Sequence, residues 1–299
     1  MDKREFDVDV DALRVTGIAA FPDQPDDEAR LPLLVCIPGG GSHDAQYFDI
    51  PGFSLLDKAT AQGFTVLALN RPGYTRSAPL PDEHSAFARQ AEILDTAIGR
   101  LWEQYGDGRP GVVIVSHSIG SAIAVHLAAG HPTWPLTGRL TWPLLGIALN
   151  GIDDMGPAEG NGAWKAMPPG QPVVCPTGLR RQIMYGPDVI MHADAVQRAT
   201  PAWEPVPSPE FLEVVRLWPE QFPTLARQVT VPVHYVLAEH DHLWMADQQR
   251  VTDLAGQFTA ASSVDAAIFH GTGHNIDRHH GGDKLHQLQL EFAARCADD

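Results

Sequence analysis

Three residues of this 299-residue chain have the types and positions that nucleophilic acyl transfer requires. Ser118 follows the β-branched run Val112-Val113-Ile114-Val115, with Ser116 two residues before it, Gly120 two after, and an Ala-rich helical pattern beginning at once. A strand that reverses so tightly into a helix, a nucleophile elbow, strains the residue at the turn and admits only small neighbours. Its hydroxyl is left standing clear of the sheet. A serine hydroxyl is a weak nucleophile at neutral pH and needs an imidazole to take its proton. Of the 14 histidines, His274 in Gly271-Thr272-Gly273-His274 directly follows the last expected strand, and that position singles it out. The imidazole needs a carboxylate to hold its tautomer. Asp241, just past the strand Val231–Leu237, is the first choice, although it could instead cap a helix over Leu243–Phe258. Glu239 sits nearer the strand, and Asp153 and Asp154 after the preceding strand are the alternative acids.

Acyl transfer also places negative charge on the carbonyl oxygen, which backbone N–H groups can hold. Ile119 supplies the amide after the nucleophile, and Gly40 in Ile37-Pro38-Gly39-Gly40-Gly41-Ser42 supplies the second. A glycine loop could cradle phosphate, but neither dinucleotide spacing nor a P-loop lysine accompanies this one. Gly41 and His43 beside the loop, with Trp164, Met184, Tyr185 and Trp203 further along, are the candidate substrate-binding residues.

These groups need a scaffold that brings loops to one edge. Residues 6–20 alternate apolar and polar, as antiparallel edge strands do. Leu33–Ile37, Phe64–Leu69, the elbow strand, Leu144–Leu149, Val231–Leu237 and Val264–Phe269 are apolar runs of strand length. Helical spacing separates them at Phe53–Gln62, Glu83–Tyr105 and after the elbow, and Lys284–Arg295 closes the chain. That alternation predicts a doubly wound, mostly parallel, eight-stranded α/β sheet. Residues 151–228 break it: they are Pro- and Gly-rich, then helical near Asp188–Arg198 and Pro209–Trp218. They are expected to form a helical cap inserted into a core of residues 1–150 and 229–299. A small lid needs its own core, which accounts for most of that segment's large apolar side chains.

With Ser, Asp and His in that order behind a glycine loop, the chain resembles the α/β-hydrolase superfamily over roughly residues 31–299 outside the cap. Asn70-Arg71-Pro72-Gly73-Tyr74-Thr75-Arg76-Ser77 is similar to that family's loop Asp-x-x-Gly-x-Gly-x-Ser, with Asn70 and Thr75 departing from it. Ser116 and Pro38 stand where the family often has glycine and histidine. The resemblance implies a serine hydrolase of esterase or lactonase type, acting on an apolar small-molecule ester or lactone without a cofactor. Relatives that turn the same triad to lyase, isomerase, cofactor-free oxygenase or C–C hydrolase chemistry stay open, as does a non-catalytic ligand receptor.

A formal charge of −16 speaks against nucleic acid as a partner, because phosphate binding relies on clustered cations. Three widely spaced cysteines fit a reducing cytoplasm better than a disulfide framework. No uninterrupted apolar run reaches membrane-spanning length. Glu239-His240-Asp241-His242 and the histidines from His270 to His286 lack metal-site spacing, so no metal is expected.

Overall fold

The computed structural model describes residues 1–23, 31–41, 44–75, 77–78, 86–130, 141–156 and 172–298. The candidates His43 and Trp164 lie outside the described residues. Eight strands form one sheet: β1 (Asp2–Val10), β2 (Leu13–Phe21), β3 (Leu33–Ile37), β4 (Val66–Asn70), β5 (Val112–His117), β6 (Leu144–Asn150), β7 (Val233–His240) and β8 (Val264–Gly273). Their order is β1-β2-β4-β3-β5-β6-β7-β8. β2 pairs antiparallel with both β1 and β4, and the remaining pairings are parallel. Burial explains the difference. β3, β4 and β5 are buried along their whole lengths, as continuous apolar runs covered on both faces must be. β1 alternates, with Val8 and Val10 inward and Asp7 and Asp9 in water.

The chain leaves β3 for β4 on one side and returns to β5 on the other, so β3 and β5 are neighbours whose following loops diverge. A crevice opens where the winding direction reverses. Both the Gly39–Gly41 loop and Ser118 fall at that edge. Helices α1 (Asp44–Tyr47), α2 (Leu55–Ala61), α3 (Ala86–Tyr105) and α4 (Ile119–Ala129) follow the first strands. α3 buries Phe87, Ala91, Leu94, Ile98 and Leu101 at the expected helical spacing. Between β6 and β7 lie α5 (Thr177–Tyr185), α6 (Ala195–Ala199), α7 (Ser208–Arg216) and α8 (Trp218–Ala226), and α9 (Gln248–Ala255) and α10 (Gly282–Arg295) complete the chain.

Three local expectations are corrected. α5 forms where only Pro- and Gly-rich loop was anticipated, because Leu179 and Ile183 share one face despite Gly178. The helix expected over Asp188–Arg198 is a 3-10 turn at Asp188–Ile190 followed by the short α6. The helix expected from Leu243 begins at Gln248 instead, where the Asp247 carboxylate accepts from the Arg250 N–H at 2.7 Å. Asp241 is therefore not its cap.

A buried polar network fastens the β8–α10 connection under the site. The Tyr47 hydroxyl of α1 donates to Asp277 Oδ1 at 2.8 Å, and Arg278 donates to Asp277 Oδ2 at 2.7 Å. The His117 ring at the end of β5 stacks on Tyr47 with centroids 4.6 Å apart. His286 of α10 is enclosed beside Asp277, Arg278, Lys58 and Asp283. Burial drives the imidazoles of both His117 and His286 down to about 3.

Two outcomes follow for stability. Thr75 occupies the left-handed region at φ 50°, a conformation a β-branched residue adopts at roughly 1–2 kcal/mol of strain. Thr75→Gly should gain roughly 0.5–1 kcal/mol in urea unfolding after glycine's greater unfolded-state entropy is subtracted; an unchanged or lower midpoint would contradict the strain. Each depressed histidine binds its proton in the unfolded chain near pH 6.5 but in the folded chain only near 3. Its contribution is thus complete above pH 6.5 and is lost as pH falls, by up to about 1.4 kcal/mol per pH unit. His286→Gln should flatten the acid limb of a stability-against-pH curve measured between pH 6.5 and 4, and an unaltered slope would refute the assignment.

Candidate active site

Ser118 sits between β5 and α4 at φ 52°, ψ −126°, a backbone geometry held by its surroundings. Its N–H donates to the Asn150 carbonyl at 2.7 Å. Ser116 donates to the Ala148 carbonyl at 3.0 Å, and the Ser121 hydroxyl accepts from the Asn150 N–H at 3.1 Å. The flanking serines thus tie the turn to the end of β6. Gly120 admits no substitute: a Cβ there would come within 2.2 Å of the Ile37 carbonyl oxygen.

His274 directly follows β8, and Asp241 directly follows the adjacent β7. Their side chains are both fully enclosed, with Nδ1 2.7 Å from Asp241 Oδ2. The second carboxylate oxygen accepts from the Leu243 N–H at 2.8 Å. Since the carboxylate accepts at Nδ1, that nitrogen carries the proton and Nε2 keeps its lone pair. Nε2 is buried and makes no hydrogen bond among the described residues. Gly151, which no sequence pattern singles out, makes room for the ring: a Cβ there would stand 3.1 Å from His274 Cε1. His117 packs edge-on against His274 with centroids 4.8 Å apart, and its Nε2 lies 3.2 Å from the His274 carbonyl oxygen.

The other candidate acids are engaged elsewhere. Asp153 and Asp154 both pair with Arg250 of α9. Burial raises the Asp153 carboxyl to about 6 against the pull of that guanidinium. Glu239 accepts from the Gly271 N–H at 2.8 Å and faces His270. Among the described residues, no group of three or more His, Cys, Asp or Glu side chains is placed to hold a metal ion.

Gly40 and Ile119 stand together at the crevice, since a Cβ on Gly40 would lie 3.0 Å from Ile119 Cδ1. Neither N–H donates to a described residue. With Ser118 they line a cavity of about 190 Å³ whose remaining wall is mostly apolar. Val174, Leu179, Ile183, Met184 and Val206 come from the segment between β6 and β7, and Trp244 comes from the loop after β7. Of the four substrate-binding candidates among the described residues, only Met184 lines this cavity. Tyr185 is buried in a satellite core with Ile50, Phe53 and Met191, and Trp203 packs against the same core under the Arg180 guanidinium. The Gly41 carbonyl accepts from Arg180 and from the Glu204 N–H. Of the described aromatic and methionine residues of that segment, Tyr185, Met191 and Trp203 build the satellite core, Trp218 and Phe222 join the main core, and Met184 and Phe211 line the cavity. Aliphatic residues such as Leu179 and Ile183, one turn apart on α5, form the wall; that spacing was the available signal.

The sequence matches the Alpha/beta hydrolase family over residues 34–284. No curated protein matches it significantly. Among solved structures, a thermostable carboxyl esterase from Bacillus coagulans is similar with a TM-score of 0.70 at 17% identity, covering 99% of each chain. A monoacylglycerol lipase from Paleococcus ferrophilus gives 0.62 at 18% identity over 93% of this chain and 98% of its own. A carboxylesterase structure from Nitrososphaera gargenis gives 0.62 at 16% identity over 98% and 99%. At such identities the likeness is one of fold. The family match, by contrast, spans most of the sequence, from within β3 to the start of α10, and the chain belongs to the alpha/beta hydrolase family.

Proposed function

We propose that the protein is a serine hydrolase that cleaves carboxylic esters or lactones of apolar small molecules through an acyl-enzyme. The observation that carries this reading is the enclosed His274–Asp241 pair, with Nε2 unengaged, at the same sheet edge as the strained Ser118. In this reading Nε2 takes the Ser118 proton as Oγ attacks the substrate carbonyl. The tetrahedral oxyanion is held by the Ile119 and Gly40 amides. His274, now an imidazolium stabilised by Asp241, returns the proton to the departing alkoxide, and water repeats the sequence on the acyl-enzyme. The apolar cavity receives one side of the ester. The similar structures are those of esterases and a lipase, which supports ester hydrolysis. No helix among the described residues is long and apolar enough to cross a membrane.

Ser118→Ala should abolish turnover of p-nitrophenyl esters, by about 10³–10⁶-fold, and prevent labelling by a fluorophosphonate, with the fold intact by circular dichroism. Retained turnover in that variant would sink the assignment. Asp241→Asn should lower kcat by about 10³–10⁴-fold by favouring the wrong tautomer. Asp153→Asn, measured beside it, should leave kcat of the folded enzyme within about tenfold of wild type, and the reverse ranking would move the acid to Asp153. If the cavity binds the acyl chain, kcat/KM across straight-chain esters should rise about fourfold per methylene, from about 0.8 kcal/mol of burial each, and level off once about 190 Å³ is filled. A profile that is flat from acetyl onward would remove the cavity from acyl binding.

A further inference from the structure

The loop carrying Gly40 is gripped on both flanks by arginines that the acyl-transfer steps do not employ. Arg71, at the end of β4, is fully buried and donates from Nη2 to the Gly39 carbonyl at 2.9 Å. Its Nη1 lies 2.7 Å from Glu210 Oε1 on α7, with both side chains enclosed. Gln90 and the Tyr74 hydroxyl, at 2.8 Å, complete the surroundings of that carboxylate, and the Arg71 guanidinium lies over the Tyr74 ring at 4.5 Å. On the far flank the Gly41 carbonyl accepts from Arg180 of α5 and from the Glu204 N–H at 3.1 Å.

The Gly39 carbonyl and the Gly40 N–H belong to one planar trans peptide, so they point in opposite directions. Whatever fixes the carbonyl therefore aims the amide. A guanidinium on the oxygen also polarises the peptide and strengthens its N–H as a donor, more so in a water-poor interior. A buried ion pair is often dispensable for stability when apolar residues of similar volume replace it, so stability alone does not account for this one. We propose that Arg71, locked by Glu210 of the β6–β7 segment, is a positioning residue that aims and polarises the Gly40 amide at the developing oxyanion. The seating of α7 then sets the competence of the reaction centre, though Glu210 touches no reacting atom. This inference rests on the proposed role of Gly40.

The test compares wild type with the double variant R71M/E210M, which removes both charges together. Its readouts are kcat and KM on p-nitrophenyl butyrate and Ki for an aryl trifluoromethyl ketone, whose serine adduct carries the oxyanion. The expected result is a kcat lowered about 10- to 100-fold, a KM within about threefold, and a Ki raised by the same factor as kcat falls. R71K, which keeps a cationic donor opposite Gly39, should retain more activity than the double variant. A folded R71M/E210M whose kcat and Ki stay within about threefold of wild type overturns the proposal. Should that variant fail to fold, R71Q/E210Q is read in the same way, since its neutral pair can hydrogen-bond while the shorter side chain at 71 no longer spans to Gly39. Ser118→Ala separates the two levels. Turnover surviving in it overturns the underlying reading, whereas an inert Ser118→Ala beside an unimpaired double variant overturns only the role of Arg71.

Discussion

A serine held at φ 52°, ψ −126° is the constraint on which the remainder of this structure depends. Such backbone costs on the order of 1–3 kcal/mol and persists only where neighbouring contacts overdetermine it. Here they come from three sides. The end of β6 accepts from the Ser118 N–H and exchanges hydrogen bonds with Ser116 and Ser121. The Ile37 carbonyl presses on Gly120, and the Gly39 backbone stands where a Cβ would be 2.8 Å from Ser118 Cβ. Strand order is thus coupled to chemistry. Only with β3 and β6 on either side of β5 does the turn find all of these partners.

The parts of the fold governed by local pattern were legible in the sequence. The β-branched run of β5, the helical spacing of α3 and the apolar lengths of β3 and β4 each reflect burial that any sheet of this kind imposes. His274 and Asp241 stood out because each follows a strand, and strand ends are where loops can converge. The choice among Asp241, Asp153 and Asp154 was not legible. What sets their surroundings apart is Arg250, which lies 97 residues from Asp153 in sequence and pairs with it across the fold. Cavity composition was obscured for a different reason. Large aromatic residues have much to gain from burial, so Tyr185 is buried and Trp203 packed in the satellite core with Ile50 and Phe53, while Leu179, Ile183 and Val206 share the opening with Phe211 and Trp244.

Electrostatics at this edge of the sheet is handled by enclosure rather than by net charge. The chain carries −16 overall, yet Arg71, Arg250 and Arg278 are each placed against a carboxylate in the interior. Two of these pairs join segments far apart in sequence, β4 with α7 and the β6 end with α9, while the third joins neighbouring residues of the β8–α10 link. His117 and His286 remain uncharged beside them because burial disfavours their protonation. The uncharged His117 packs edge-on against His274, and Asp241 is the carboxylate bonded to it.

The segment between β6 and β7 leaves and rejoins the sheet at adjacent parallel strands, so its length can vary without shifting any strand register. That makes it the part of the chain whose exchange would disturb the sheet least. The exchange is not free in this protein. Glu213 of α7 accepts from the first N–H groups of α3, and Glu210 neutralises Arg71 behind the glycine loop. A replacement segment that lacked these two carboxylates would leave Arg71 a buried cation without its carboxylate and the start of α3 uncapped. Replacements that preserve the fold are therefore those that keep the α7 face and vary α5, whose Leu179 and Ile183 line the cavity.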